Sequence, residues 1–240
     1  AYTNVTWSRS GSQGSINSSG LYSAPGSITD GTITITATPI DSGGSDGTAN
    51  LNLQQLIDPI RVYANNVADL TDQAGRVWEK QPGPCTIVGS PTTYADNQTI
   101  ANLPDPLQEP IYEWRMYRTS AGTIGYDCPV PNGRFDVMFK WANANALDFK
   151  TKQDIQLEGV TVATDFEITV EAGGVLIALD RTFSTVVTDG VLSIRFVGKS
   201  NAPNQLAWAW MQGIQVEDKG PVPGKAIISG KATITNGVLR

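Results

Sequence analysis

Residues 111–141 read IYEWRMYRTSAGTIGYDCPVPNGRFDVMFKW, and the fold is decided here. After Pro131-Asn132-Gly133, a turn tripeptide that tolerates the positive φ of a chain reversal, Phe135, Val137 and Phe139 alternate with Arg134, Asp136, Met138 and Lys140. A period of two with one apolar face is the mark of a strand half-buried against a core. Upstream, Tyr112, Trp114, Tyr117 and Tyr126 crowd around Cys128, while Gly122 and Gly125 break any long helix. That half reads as an edge strand and a loop whose rings have a flat face and a polar tip, a chemistry suited to sugars and other amphipathic ligands.

The pattern continues outward on both sides. Downstream, DIQLEGVTVATDFEITVEAGG (154–174) is a meander: Ile155 and Leu157, a turn at Glu158-Gly159, Val160 and Val162, then Phe166, Ile168 and Val170. VLIALDRTF (175–183) adds a strand, STVVTDGVLSIRFVG (184–198) a hairpin around Asp189-Gly190, and LAWAWMQGIQVE (206–217) closes the sheet. Upstream, Ile60, Val62 and Ala64 alternate in IRVYANN, and 81–110 is a long turn-rich loop of the kind that usually carries function. Nothing reads as a helix of any length, so the expected class is all-β. Residues 1–54 form a separate Ser/Gly/Thr/Ile module in which TITITAT (32–38) and ANLNL (49–53) alternate strictly. Residues 55–218 form the main domain. In 219–240, the stiff linker KGPVPGK precedes strand-like segments at 226–229 and 232–235.

Composition narrows the function. The 240 residues carry a net charge of −6 with no basic run, which argues against nucleic acid as a partner. The absence of histidine removes the Ser-His-Asp triad and the usual zinc ligands together. No apolar run approaches the ~18 residues that membrane insertion needs, and AYTNVTW at the start is not a signal peptide. Low charge with abundant Gly, Ser, Thr, Asn and Pro suits a secreted, extracellular or cell-surface β protein. Cys85 and Cys128 close one disulfide in such a setting, or else stay as two buried thiols. No cofactor is expected. Asp69, Asp72, Asp96 and Asp180 read as loop carboxylates of a kind that suits a structural calcium ion, without a fixed ligand spacing. Trp208 and Trp210 share one strand face, either as a stacking platform for a polysaccharide or as core.

Two resemblances follow from these residues. VTWS, GSINSSGLYSAP, TITITATPIDSGGSDGTANLNL in 1–54 resembles the later part of a bacterial immunoglobulin-like domain without its first strands. From about 60 to 217, IRVYANN with DQAGRVW, GYDCPVPNGRFDV, DIQLEG, DFEITVEAGG, TDGVLSIRF and GIQVE resemble, in order and spacing, the malectin family of carbohydrate-binding domains. The resemblance implies a jelly-roll-like β-sandwich with a glycan site made by loops at one end. It maps the family's two binding tyrosines to Tyr94 and Tyr117. It sets Asn201 where the family has an acidic residue, and Asn145 and Ala146 where the family has an aromatic pair, with Trp141 and Phe149 near enough to replace that pair. The expected function is non-catalytic binding of an oligo- or polysaccharide by a secreted or surface bacterial protein. The competing expectation is a structural subunit of an extracellular filament, surface layer or virion, joined to other copies by strand complementation through 226–240.

Overall fold

Some turn signals in this chain mark a change of sheet, others a hairpin. The computed structural model describes residues 5–23, 31–40, 44–53, 56–118, 122–143, 152–199, 208–222, 227–228, 232–235 and 238–239. They divide into two units, 1–56 with 220–240, and 57–219.

In the first unit, β1 (Val5–Arg9), β4 (Gly31–Pro39) and β5 (Gly47–Leu53) form an antiparallel sheet in the order β1-β4-β5, and β2 (Ser15–Ile16) pairs with β3 (Tyr22–Ser23). Ile33, Ile35 and Ala49 are buried, as their alternation with threonine and asparagine requires.

The second unit contains β6 (Ile60–Tyr63), β7 (Leu70–Thr71), β8 (Val77–Lys80), β9 (Thr86–Val88) and β10 (Thr92–Ala95). A 3-10 turn (Pro106–Gln108) and α1 (Glu109–Glu113) lead into β11 (Trp114–Arg118), β12 (Thr123–Pro129), β13 (Gly133–Trp141), β14 (Lys152–Leu157) and β15 (Val160–Glu167). After α2 (Ile168–Ala172) come β16 (Leu179–Val187), β17 (Val191–Lys199), β18 (Ala209–Met211) and β19 (Gly213–Asp218). The sheets run β15-β14-β17-β12-β9, β16-β13-β19-β6-β8-β7 and β10-β11-β18. Ile124, Tyr126 and Cys128 of β12, Phe135, Val137 and Phe139 of β13, and Leu192, Ile194 and Phe196 of β17 share one buried core between the two larger sheets.

The Pro131-Asn132-Gly133 reversal and the expected Asp189-Gly190 hairpin are both corners between sheets. β12 pairs with β9 and β17, whereas β13 pairs with β16 and β19. The Pro131-Asn132-Gly133 corner therefore carries the chain from one layer to the other. Gly133 opens β13 without a positive φ. Asp189-Gly190 does the same between β16 and β17, here with Gly190 at φ 84°. The reason is burial. β12 and β13 each have a complete apolar face, and two such faces bury each other across a sandwich but not side by side in one sheet. The Val130 amide donates to the Gly190 carbonyl at 3.0 Å and ties the two corners together. Glu158-Gly159, at φ 52° and 73°, is a true two-residue hairpin turn between β14 and β15.

Four further expectations change. ITVEA after Glu167 is one turn of helix and not strand, closed by Gly173 at φ 79°. The 81–110 loop includes β9 and β10. β11 is the middle strand of its sheet, not an edge, and β19 lies between β13 and β6 and does not close the sheet. The C-terminal β20 (Ile227–Ile228), β21 (Ala232–Thr235) and β22 (Val238–Leu239) belong to the first unit, yet among the described residues they pair with one another and add no strand to β1-β4-β5.

Candidate aromatic site on the three-stranded sheet

Register sets the site. In β10-β11-β18, Tyr94 lies opposite Arg115, Thr92 opposite Tyr117, and Tyr117 opposite Trp210. Directly paired residues share a sheet face, as do residues two apart, so Tyr94, Arg115, Tyr117 and Trp210 all project from one side. Met116, pointing the other way, is in the core. The guanidinium carbon of Arg115 lies 5.3 Å from the Tyr94 ring centroid, 5.3 Å from that of Tyr117 and 5.1 Å from that of Trp210. Trp208 stacks on Tyr117 with centroids 5.6 Å apart. Tyr94 is 51% exposed and Tyr117 half-buried, whereas Arg115 is buried and Trp210 is 1% exposed.

One carboxylate completes the cluster. Asp96 Oδ1 pairs with Arg115 Nη2 at 3.0 Å, and both side chains are only 8% exposed. Burial raises the Asp96 carboxyl above its ordinary range, and the Arg115 charge pulls the other way. Among the described residues Asp96 Oδ2, Arg115 Nε and Nη1, and Trp210 Nε1 are buried without a hydrogen-bond partner.

The strands beneath are held firmly. The Trp210 backbone is clasped by buried Gln153, which accepts from its amide at 2.8 Å and donates to its carbonyl at 3.1 Å. Gln212 accepts from the Ala142 amide and donates to the Tyr112 carbonyl, fixing α1 against β13 just before β11 begins. Gln81 accepts from Tyr126 Oη and donates to Thr93 Oγ1, which ties β10 to β12. Cys85 and Cys128 form a disulfide.

Tyr94 and Tyr117 therefore meet at Arg115. Trp141 does not join them. It is 0% exposed, tilted against Phe166 at 4.9 Å and edge-on to Phe196 at 6.2 Å, and its indole donates to the Trp210 carbonyl, so it has no ring face to offer a ligand. Asn201 and Phe149, with Asn145 and Ala146, lie outside the described residues. The exposed platform of two tryptophans is not formed, because Trp210 is core and Trp208 half-buried on Tyr117. The four aspartates serve separate neighbourhoods. Asp96 pairs with Arg115 and Asp69 accepts from the Lys80 amide. Asp72 is a buried hydrogen-bond hub, and Asp180 lies on β16 in an ion pair with Lys140. Among the described residues no three carboxylates, histidines or cysteines converge on a metal site. Sequence reasoning passed over Arg115. Its signal was present in WRMY, where an arginine two residues from a tyrosine must share that tyrosine's strand face.

The malectin domain model matches residues 51–230. No curated protein matches the chain. Among solved structures, the ANXUR1 extracellular domain from Arabidopsis thaliana is similar at 16% identity and TM-score 0.57, over 80% of this chain and 59% of that one. The plant receptor-like kinase FER is similar at 20% and 0.55, over 70% and 43%. Bacteroides uniformis beta-glucuronidase is similar at 15% and 0.57, over 81% and 23%. These are likenesses of fold, and the chain spans less than two thirds of the length of each.

Proposed function

The chain belongs to the malectin domain family, and from that premise we propose that it is a non-catalytic carbohydrate-binding module that works outside the cell. The observation that carries the reading is the convergence of Tyr94 and Tyr117 on one sheet face around a buried arginine. An aromatic ring offers its face to sugar C–H groups while the phenol hydroxyl exchanges a hydrogen bond with a sugar hydroxyl. Tyr94 supplies an exposed ring and Tyr117 a half-buried one stiffened by Trp208. By resemblance, Asn201 adds an amide that both donates and accepts, and Phe149 a further stacking surface. The extracellular setting is supported by the disulfide and by the fold shared with a plant extracellular domain. Modules of this kind bind weakly one at a time and gain by tethering to a longer chain or by repetition.

A glycan array followed by calorimetry on the best ligand tests the reading. Tyr117→Ala is expected to weaken binding several-fold, since one aromatic stack is worth about 1 kcal/mol. An unchanged affinity in a variant with the wild-type melting temperature refutes the site.

A further inference from the structure

We infer that Arg115 and Asp96 are the specificity-determining pair of this site, reading two neighbouring hydroxyls of the sugar that the rings stack. The inference rests on the aromatic cluster being the glycan site, and it assigns the polar half of recognition to a pair that the family resemblance does not single out. The geometry points to it in three steps.

First, the pair is half used. Asp96 commits Oδ1 to Arg115 Nη2 at 3.0 Å, while Oδ2 of the carboxylate and Nε and Nη1 of the guanidinium are buried and unpaired among the described residues. The indole Nε1 of Trp210, a ring within 5.1 Å of the guanidinium carbon, is in the same state. A folded protein leaves few such atoms, and here four of them belong to one cluster under the aromatic wall. Second, the inventory selects the ligand. Three donor nitrogens, carrying four N–H groups between them, and one carboxylate acceptor want a group that mostly accepts and also donates. Two adjacent hydroxyls fit, since each accepts twice and donates once. A sugar carboxylate accepts without donating and would face the free oxygen of Asp96, and a cation would leave all three donors unmet. Third, there is a way in. β10 is the end strand of its sheet, and Tyr94, half exposed above Arg115, can turn its ring aside without disturbing the core. A sugar whose hydroxyls reach these atoms then meets their unused hydrogen-bonding capacity.

The test uses the whole protein labelled with ¹⁵N and titrated with the methyl glycosides of glucose, galactose and mannose, their monodeoxy analogues and methyl glucuronide. The Arg115 Nε–H and Trp210 Nε1–H signals, assigned with Arg115→Lys and Trp210→Phe, are expected to shift with the bound glycoside. Removing one of the two hydroxyls is expected to weaken binding roughly tenfold to a hundredfold, the factor carried by a hydrogen bond to a charged group. The near-isosteric Asp96→Asn should lose a similar factor and no longer distinguish the deoxy sugar. If a glycoside binds and is lost in Tyr117→Ala, yet both N–H signals stay still and Asp96→Asn binds as wild type, the inference is overturned while the site stands. A glucuronide bound as tightly as the neutral sugar also overturns it. Failure of every glycoside and of the glycan array overturns both.

Discussion

Replacing Asp72 by asparagine should be among the most damaging changes available in this protein at no cost in volume. Its side chain is fully buried and accepts five hydrogen bonds. Oδ1 receives the amides of Ala74 at 3.1 Å and Arg76 at 2.9 Å. Oδ2 receives Arg76 Nε at 2.7 Å, Trp78 Nε1 at 3.1 Å and Gln108 Nε2 at 2.8 Å. Asparagine keeps one acceptor, and its NH₂ must then face at least two donors. Two buried donors left unpaired cost about 1–3 kcal/mol each, so with the lost charge the total is about 3–5 kcal/mol. For a unit of this size that is a fall in Tm of roughly 6–20 °C. The pH dependence fixes the cause. Burial alone would raise the Asp72 carboxyl, but the hydrogen bonds from the Arg76 backbone, Trp78, Gln108 and the Arg76 side chain outweigh it and hold the group well below the usual carboxylate range. A depressed folded value means that the stabilisation is fully present above the unfolded value, near about 4, and is lost as pH falls through the folded one. Calorimetric melts from about pH 7 to pH 3 should thus show a wide gap between wild type and variant that narrows at the acid end. A gap under about 1 kcal/mol at neutral pH, or one that stays constant to the acid limit, refutes the reasoning.

Two other expectations follow from buried chemistry. Substituting Cys85 and Cys128 together by alanine frees a loop with a sequence separation of 43; chain entropy sets the loss at about 4 kcal/mol, measured by urea unfolding against the oxidised protein. Asp180→Asn removes the charge partner of the Lys140 ammonium, which is 3% exposed, bonded to Tyr112 Oη at 3.0 Å and set over the Trp78 and Tyr112 rings, and should cost about 3–5 kcal/mol. Lys140→Met, which removes the charge with its partner still half in water, should cost less, and the reverse ranking in urea would contradict the ion-pair account.

How much of the fold was legible depends on which physical signal carried it. Strand identity is local. Phe135, Val137 and Phe139 alternate because one face of β13 is buried, and Ile155 and Leu157 do the same on β14, so both strands stand where the pattern puts them. Partnership is not local. Asp189-Gly190 has hairpin chemistry, yet β16 and β17 go to different sheets because each finds a nine-residue or seven-residue antiparallel partner elsewhere, in β13 and β12. The short helices failed for the opposite reason. Ile168, Thr169 and Val170 have strand propensities, and what makes α2 is the left-handed Gly173, which ends a helical turn that packs Ile168 into the core.

The site divides along the same line. Tyr94 and Tyr117 could be marked because the resemblance to the malectin family maps its binding tyrosines there, with the amphipathic ring as the physical warrant. Their partnership with Arg115 and Asp96 could not: the arginine goes unmarked and the aspartate reads only as one of four loop carboxylates, since two charges nineteen positions apart show no pairing in sequence. Only the register that sets Tyr94 opposite Arg115 brings Asp96, two residues beyond Tyr94, within 3.0 Å of the guanidinium. Once enclosed, the pair gains meaning that exposed charges lack. In water a hydrogen bond to either group exchanges for one to solvent and discriminates little, whereas here each unused N–H and oxygen is cut off from solvent and must be matched by whatever enters. On the proposed reading, the rings would supply affinity without much choice of sugar, since any pyranose has a C–H face, and the buried charge pair behind them would tell one arrangement of hydroxyls from another.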